Sequence, residues 1–197
     1  MILNFIRLGI KILLKTYCQK IKILGIKLIN KNNKFKGKFE KIIIEAEQII
    51  YKGIYLKYAK ITGFNLNIDL NKDRTFLRIK NFQAETILHL SGENLRNIIN
   101  KNCSLMNKKV REFILKENNL EEIYFNNELI LFQLSKDKKK YKYSYRLKFD
   151  KNNLILNDIF TKKYLLIPFD KNIIFNSLKV NGDYLKIKLK STVKFDY

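Results

Sequence analysis

The sequence has no tryptophan, one proline, one histidine and two cysteines in 197 residues, and only 18 acidic side chains against 40 Lys and Arg. Each shortage excludes something. His89 has no second histidine and no cysteine near it in the chain, so a zinc site of N and S ligands is not expected around it. No metal and no cofactor is expected. Cys18 and Cys103 are too few for a disulfide scaffold and are expected as free, half-buried thiols. No G-x-S-x-G, P-loop or G-x-G-x-x-G occurs. The close carboxylate pairs, Glu45 with Glu47 and Glu121 with Glu122, fit a solvated strand face better than paired acid–base work. The chain is therefore expected not to be an enzyme. With seven glycines and no Ser-rich or Pro-rich run there is no obvious linker. Residues 1–197 are expected to form a single domain, with 1–17 a basic amphipathic helix and 18–197 a sheet-rich body.

What is abundant is positive charge, +22 overall, and it is placed unevenly. Through Lys41 there are eleven Lys or Arg and one acid, Glu40. This excess lies beside the opening MILNFIRLGIKILLKTYCQK. A secretion signal needs roughly 7–15 uninterrupted apolar residues and a small-residue cleavage site; Arg7 breaks the run and no such site follows. A membrane span needs roughly 20 mostly apolar residues, and Arg7, Lys11 and Lys15 interrupt at every turn. At about 100° per residue, Asn4, Arg7, Lys11 and Lys15 form one stripe on an otherwise apolar helix. Such a helix lies in a membrane interface or packs on its own domain with the stripe in water. The expected location is the cytoplasmic side, peripheral to a membrane, with Phe5, Arg7, Lys11 and Lys15 at the surface.

After Tyr17 the period changes to that of strands. Ile21 and Ile23, then Ile26 and Leu28, suggest a strand bulged at Leu24-Gly25. An Ile-rich strand follows from Phe39 to Tyr51. After Gly53 comes a 17-residue alternation from Ile54 to Leu70, which Gly63 bends or which belongs to an unusually long, curved sheet. Another strand runs from Phe76 to Leu90, with a bulge expected near Asn81 where the apolar phase changes. Ser91 caps a short helix carrying Leu95, Ile98 and Ile99, and Ser104 caps a second with Met106, Val110, Phe113 and Ile114. Tyr141, Tyr143, Tyr145, Leu147 and Phe149 beside lysines could stack bases but are expected instead on the inner face of a later strand, and Lys138-Lys139-Lys140 reads as a solvated turn. Asn181-Gly182 reads as a type I′ hairpin turn before the last strand. The fold class is α+β.

Three stretches together resemble the cyanobacterial branch of the LmeA-like phospholipid-binding family. The first is LLKTYCQKIKILGIKL followed by GKFEKIIIEAEQIIYKGIYLKYAKITG, with Cys18, Gly37, Phe39 and Ile44-Glu45-Ala46 at the family's positions. The second is AETILHLSGENLRNIIN, with Leu90, Ser91, Asn94 and Leu95. The third is IPFDKNIIFNSLKVNGDYLKIKLKSTVKF, with Pro168, Asp170, Ile173 and Gly182. The resemblance implies a long, curved antiparallel sheet wrapped around short helices, similar to half of a tubular lipid-binding (TULIP-like) module with an apolar interior for acyl chains. Actinobacterial relatives are envelope proteins that bind phospholipid; this chain departs from them in having no signal peptide.

The expected function is a non-enzymatic, membrane-peripheral phospholipid-binding protein. Leu56, Tyr58, Phe64, Leu66 and Ile68 would line an apolar trough, and Arg7, Lys11 and Lys15 would meet anionic headgroups at about 1 kcal/mol each. The partner is a phospholipid or an anionic membrane surface. Two rivals differ in class: a nucleic-acid binder using the basic N-terminal third, the less favoured partner, and an assembly or scaffold protein whose first helix docks on another protein.

Overall fold

A computed structural model describes residues 2–30, 38–51, 54–70, 77–79, 82–100, 108–150, 153–168 and 172–193. The side chains at 2, 5, 13, 17, 54, 68–70, 77–79, 108–110, 168 and 193 are outside the described set. Gly37, Gly53, Asn81, Cys103, Ser104, Met106 and Asp170, all singled out above, lie outside the described residues.

The described residues are mostly antiparallel strand with three helices. Helix α1 (Ile2–Tyr17) leads into β1 (Cys18–Lys20), β2 (Ile23–Ile29), β3 (Lys38–Tyr51), β4 (Ile54–Leu70), β5 (Leu77–Ile79) and β6 (Phe82–Ser91). Two helices follow, α2 (Gly92–Asn100) and α3 (Lys108–Leu115). Next is a meander of β7 (Asn119–Asn126), β8 (Leu129–Lys136), β9 (Lys139–Asp150), β10 (Asn153–Asp158) and β11 (Tyr164–Pro168). The chain closes with β12 (Ile173–Asn181) and β13 (Tyr184–Val193). Where one sheet is expected, the described strands form two. The first has the order β1-β3-β4-β6-β13-β12, with β2 also on β3 and β5 on β4; the second is β11-β10-β9-β8-β7. The last hairpin returns to lie beside β6, so α2, α3 and the second sheet are inserted between strands of the first.

Helix α1 turns Ile6, Ile10 and Leu14 inward, one residue per turn, onto Ile26 and Leu28 of β2, Phe39 and Ile42 of β3 and Leu66 of β4. Removing Ile6 and Ile10 from water contributes about 1.5–3 kcal/mol each. At the other end of the sheet, Leu90 and Leu185 meet Ile99 of α2, Ile114 of α3 and the second sheet's Leu134, Tyr145 and Leu156. Ala46, Ile49 and Ala59 fill the stretch between.

The long β3–β4 hairpin does not alternate simply. Its register is unbroken from Lys38↔Asn67 to Tyr51↔Ile54, yet Gln48 has φ 49° and Asn65 φ 54°. Left-handed backbone at a non-glycine residue is uncommon in a strand, and the buried phase changes at both places. Phe39, then Ile42 and Ala46, then Ile49 face inward on β3. At Gly63 the pairing of β4 is regular on both sides. The glycine stays in register with Ile42 and Ala84 and leaves room for the Phe82 ring, whose Cε2 would lie 2.7 Å from an added Cβ. The bulge expected near Asn81 falls outside the described residues; on either side of it β5 and β6 pair with β4 in one register. Gly25 likewise pairs regularly with Glu45; the irregularity on that edge falls between Cys18 and Lys20.

Helix α2 is built as expected. The Ser91 hydroxyl accepts a hydrogen bond from the Asn94 amide at 3.2 Å, and the Ser91 N–H donates to Asn94 Oδ1 at 2.9 Å. This is a capping box with Asn at the third position, and its cap stabilises the helix by about 1 kcal/mol. At the end of α3, Lys116 and Glu117 take φ 46° and 69°, and the Asn118 side chain donates to the Leu115 carbonyl at 2.7 Å. The β12–β13 hairpin is present, but Asn181 pairs with Tyr184 and only Gly182 has positive φ. That is the II′ pattern, with glycine first, and not I′.

Candidate functional site

An open feature with ligand chemistry lies between α1 and β2. Because Ile6, Ile10 and Leu14 face the core, the diametrically opposite line of the helix carries Leu8 and Ile12, which are 53% and 57% exposed. Asn4, Arg7, Lys11 and Lys15, all exposed, run along one flank of that line. Beside them opens a groove of about 300 Å³, lined by Asn4, Arg7, Leu8 and Lys11 from the helix and by Leu24 and Ile26 from β2. Its rim is cationic and its floor aliphatic. Ile23 on the adjoining edge strand is also more than half exposed. Among the described residues no helix is long and apolar enough to cross a membrane.

The expected trough residues do not converge. Leu66 is buried beneath α1, and Leu56 packs among the inner core residues. Tyr58 and Phe64 are on the other face of the sheet, because the phase changes between Leu56 and Tyr58 and again between Phe64 and Leu66. Phe64 lines a separate hollow of about 160 Å³ with Gln83, Glu85, Ile174 and Lys190, where Lys190 Nζ is 3.3 Å from Glu85 Oε1. The side chains of Phe5 and Ile68 lie outside the described set. Arg7 and Lys11 do come together on the groove rim, and Leu24 and Ile26 join them, unanticipated, from β2.

On that same outer face, Tyr58, His89 and Tyr184 stack, with ring centroids 4.8 and 4.4 Å apart. Burial first, then the charges of Lys186 and Lys57, pushes the His89 pKa below its ordinary value, favouring the neutral ring. Its Nε2 is shielded from water and makes no hydrogen bond. A ring packed on both sides and lacking a proton partner is poorly placed as a general acid or base. Cys18 is half-buried, and burial raises its thiol pKa, which disfavours the nucleophilic thiolate. Glu45 is paired with Lys60 across β3 and β4. Among the described residues no group of three His, Cys, Asp or Glu is arranged to hold a metal ion.

Comparison with known proteins finds no matching family model, no matching curated protein and no matching solved structure.

Proposed function

We propose that this chain is a non-enzymatic, peripheral membrane protein that binds anionic phospholipid through α1 and the edge of β2. The carrying observation is the line of Leu8 and Ile12, more than half exposed, beside Arg7, Lys11 and Lys15 and above a groove floored by Leu24 and Ile26. Side chains of this kind lower the free energy of a protein twice at a bilayer surface. The aliphatic groups leave water for the acyl boundary, and the cations approach phosphates. In this reading a headgroup phosphate sits between Arg7 and Lys11 while the start of an acyl chain lies on Leu24 and Ile26. The quoted resemblance to the LmeA-like family and its TULIP-like module supports the same assignment of ligand class. The inner row Ile61, Thr86 and Leu189, side by side on β4, β6 and β13 and only half-buried, is where the rest of a chain would run.

The test is to extract purified protein with organic solvent, identify lipid by mass spectrometry, and float the protein on vesicles with and without phosphatidylglycerol. Co-purified phospholipid, and flotation that requires the anionic lipid and is lost in an Arg7→Gln/Lys11→Gln/Lys15→Gln variant, are expected. No lipid and no flotation would refute the reading and favour a protein partner for α1; tight, steeply salt-dependent binding to RNA or DNA would favour the nucleic-acid reading.

A further inference from the structure

The two most exposed large apolar side chains among the described residues, and a third beside them, stand close together in sequence, remote from α1 along the chain. Phe160 is 73% exposed, Tyr164 62% and Leu166 48%. Phe160 sits in the turn from β10 to β11, and that turn is firmly built. The Asp158 carboxylate, buried, accepts hydrogen bonds from the Phe160 and Thr161 amides at 3.0 and 3.1 Å. Its other oxygen is 3.2 Å from Lys116 Nζ. The Asp158 amide donates to the Lys163 carbonyl at 2.9 Å, and the Ile159 amide donates to Ser144 of β9 at 3.0 Å. Phe160 is thus presented to solvent by a held turn, not left there by a loose one.

Among the described residues strand β11 is an edge, paired only with β10. Its Leu165 and Ile167 pack on the core, so Tyr164 and Leu166, of opposite parity, face away from it. The register sets Tyr164 beside Asn157 and then Arg146, and Leu166 beside Ile155 and then Lys148. Lys162 and Lys163 are exposed in the turn itself. On β9 the same face carries Lys142, Arg146 and Lys148 against one acid, Asp150, while the turn's own acid, Asp158, points inward. An aromatic tip, a tyrosine behind it and a surround of cations match an anionic bilayer. Phenylalanine enters the acyl boundary, tyrosine rests at headgroup level, and the lysines meet phosphate.

We propose that the β10–β11 turn and the outward face of β11 form a second bilayer-contacting surface, separate from α1, that takes anionic lipid. The identity of the partner rests on the preceding reading; the surface itself does not. Because the chain has no tryptophan, Phe160→Trp and Ile12→Trp each place a lone tryptophan, excited selectively over the tyrosines, on one of the two surfaces of the full-length protein. Each is titrated with phosphatidylglycerol–phosphatidylcholine vesicles, with and without acyl-brominated lipid. The proposal expects a blue shift and bromine quenching at position 160, and about tenfold weaker vesicle partitioning for Phe160→Ser/Tyr164→Ser. A shift at position 12 but none at 160 overturns the second surface and leaves the α1 reading standing. A shift at 160 but none at 12 upholds the second surface and removes α1 as the anchor. No shift at either overturns both. A concentration-dependent blue shift at 160 without lipid, with a dimer in sedimentation, overturns the bilayer in favour of a second copy of the chain.

Discussion

Leu8→Ser with Ile12→Ser separates membrane binding from folding. Burying a leucine or isoleucine fully is worth about 1.5–3 kcal/mol, and these two side chains have 53% and 57% of their surface still in water. About 1 kcal/mol each thus remains to be gained at a bilayer, and losing both should weaken partitioning by about 2 kcal/mol, or roughly 30-fold. By the same reckoning the buried remainder of the pair contributes about 1 kcal/mol each to folding, so the melt should fall by about 4–8 °C and stay cooperative. The assay is cosedimentation of the full chain with phosphatidylglycerol–phosphatidylcholine vesicles across lipid concentration, with a melt on the same preparation. Ile6→Ala is the contrasting control: Ile6 is fully buried against Phe39 and Leu66, and its truncation should cost about 2–5 kcal/mol of stability. A simple deletion of residues 1–17 is the wrong experiment, because it strips Ile6 and Ile10 from the core together with the outward line. Unchanged partitioning of the Leu8→Ser/Ile12→Ser protein, with its melt still cooperative, would refute the reasoning.

Gly92→Ala should abolish soluble folded protein or cost more than about 3 kcal/mol, since its Cβ would sit 1.7 Å from the Ile123 carbonyl oxygen, a backbone atom with no rotamer to change; expression and a melt decide it. Tyr145→Phe should raise stability by about 1 kcal/mol in urea titration, because the fully buried hydroxyl has no hydrogen-bond partner and burial pushes its pKa far up; a loss of similar size would mean that the hydroxyl is satisfied by water. For His89, whose folded pKa lies below 6.5, the unfolded chain binds the proton first. Stability should therefore fall as pH drops through 6.5 towards the folded value and level off below it. Comparing melts of the parent and His89→Phe between pH 7.5 and 5 measures that component, and an identical slope in both would count against it.

The elements that a reader of the sequence finds are those whose pattern is local. Helix α1 shows a one-per-turn apolar line, α2 announces itself through Ser91 and Asn94, and β3, β4, β6, β9 and β13 alternate over long spans. The strands β7, β8, β10 and β11 escape notice because LILFQL, LILN and YLLI are short, nearly continuous apolar runs that periodicity does not distinguish from a loop or buried helix. Their hairpins are equally quiet. Asn127-Glu128 and Asp137-Lys138 both take positive φ, the I′ arrangement, without any glycine to mark it. Lys138 is indeed in a turn, but Lys139 and Lys140 already belong to β9. The trough residues scatter for a related reason. Even-numbered positions share a face only while alternation persists, and the positive φ at Gln48 and Asn65 marks where it breaks. Phe160, Tyr164 and Leu166 carry no signal at all, since an exposed aromatic and a core aromatic look the same in a sequence.

Packing on the domain and lying on a membrane are alternatives only for a helix with one apolar face, and α1 has two. Its inward line of Ile6, Ile10 and Leu14 repeats every four residues and is satisfied by β2, β3 and β4. The outward line of Leu8 and Ile12 repeats at the same interval on the opposite side, with the cations confined to one flank between them. A soluble helix needs the first line alone; replacing Leu8 and Ile12 with Lys or Glu would leave the core contacts as they are. The fold therefore does not explain why these two positions are aliphatic. Nor does it explain an exposed aromatic on a turn as tightly held as that of Phe160. Two surfaces that folding leaves unexplained, each combining exposed apolar groups with lysine or arginine, are most simply accounted for by one kind of partner, and an anionic bilayer is the partner whose chemistry suits both.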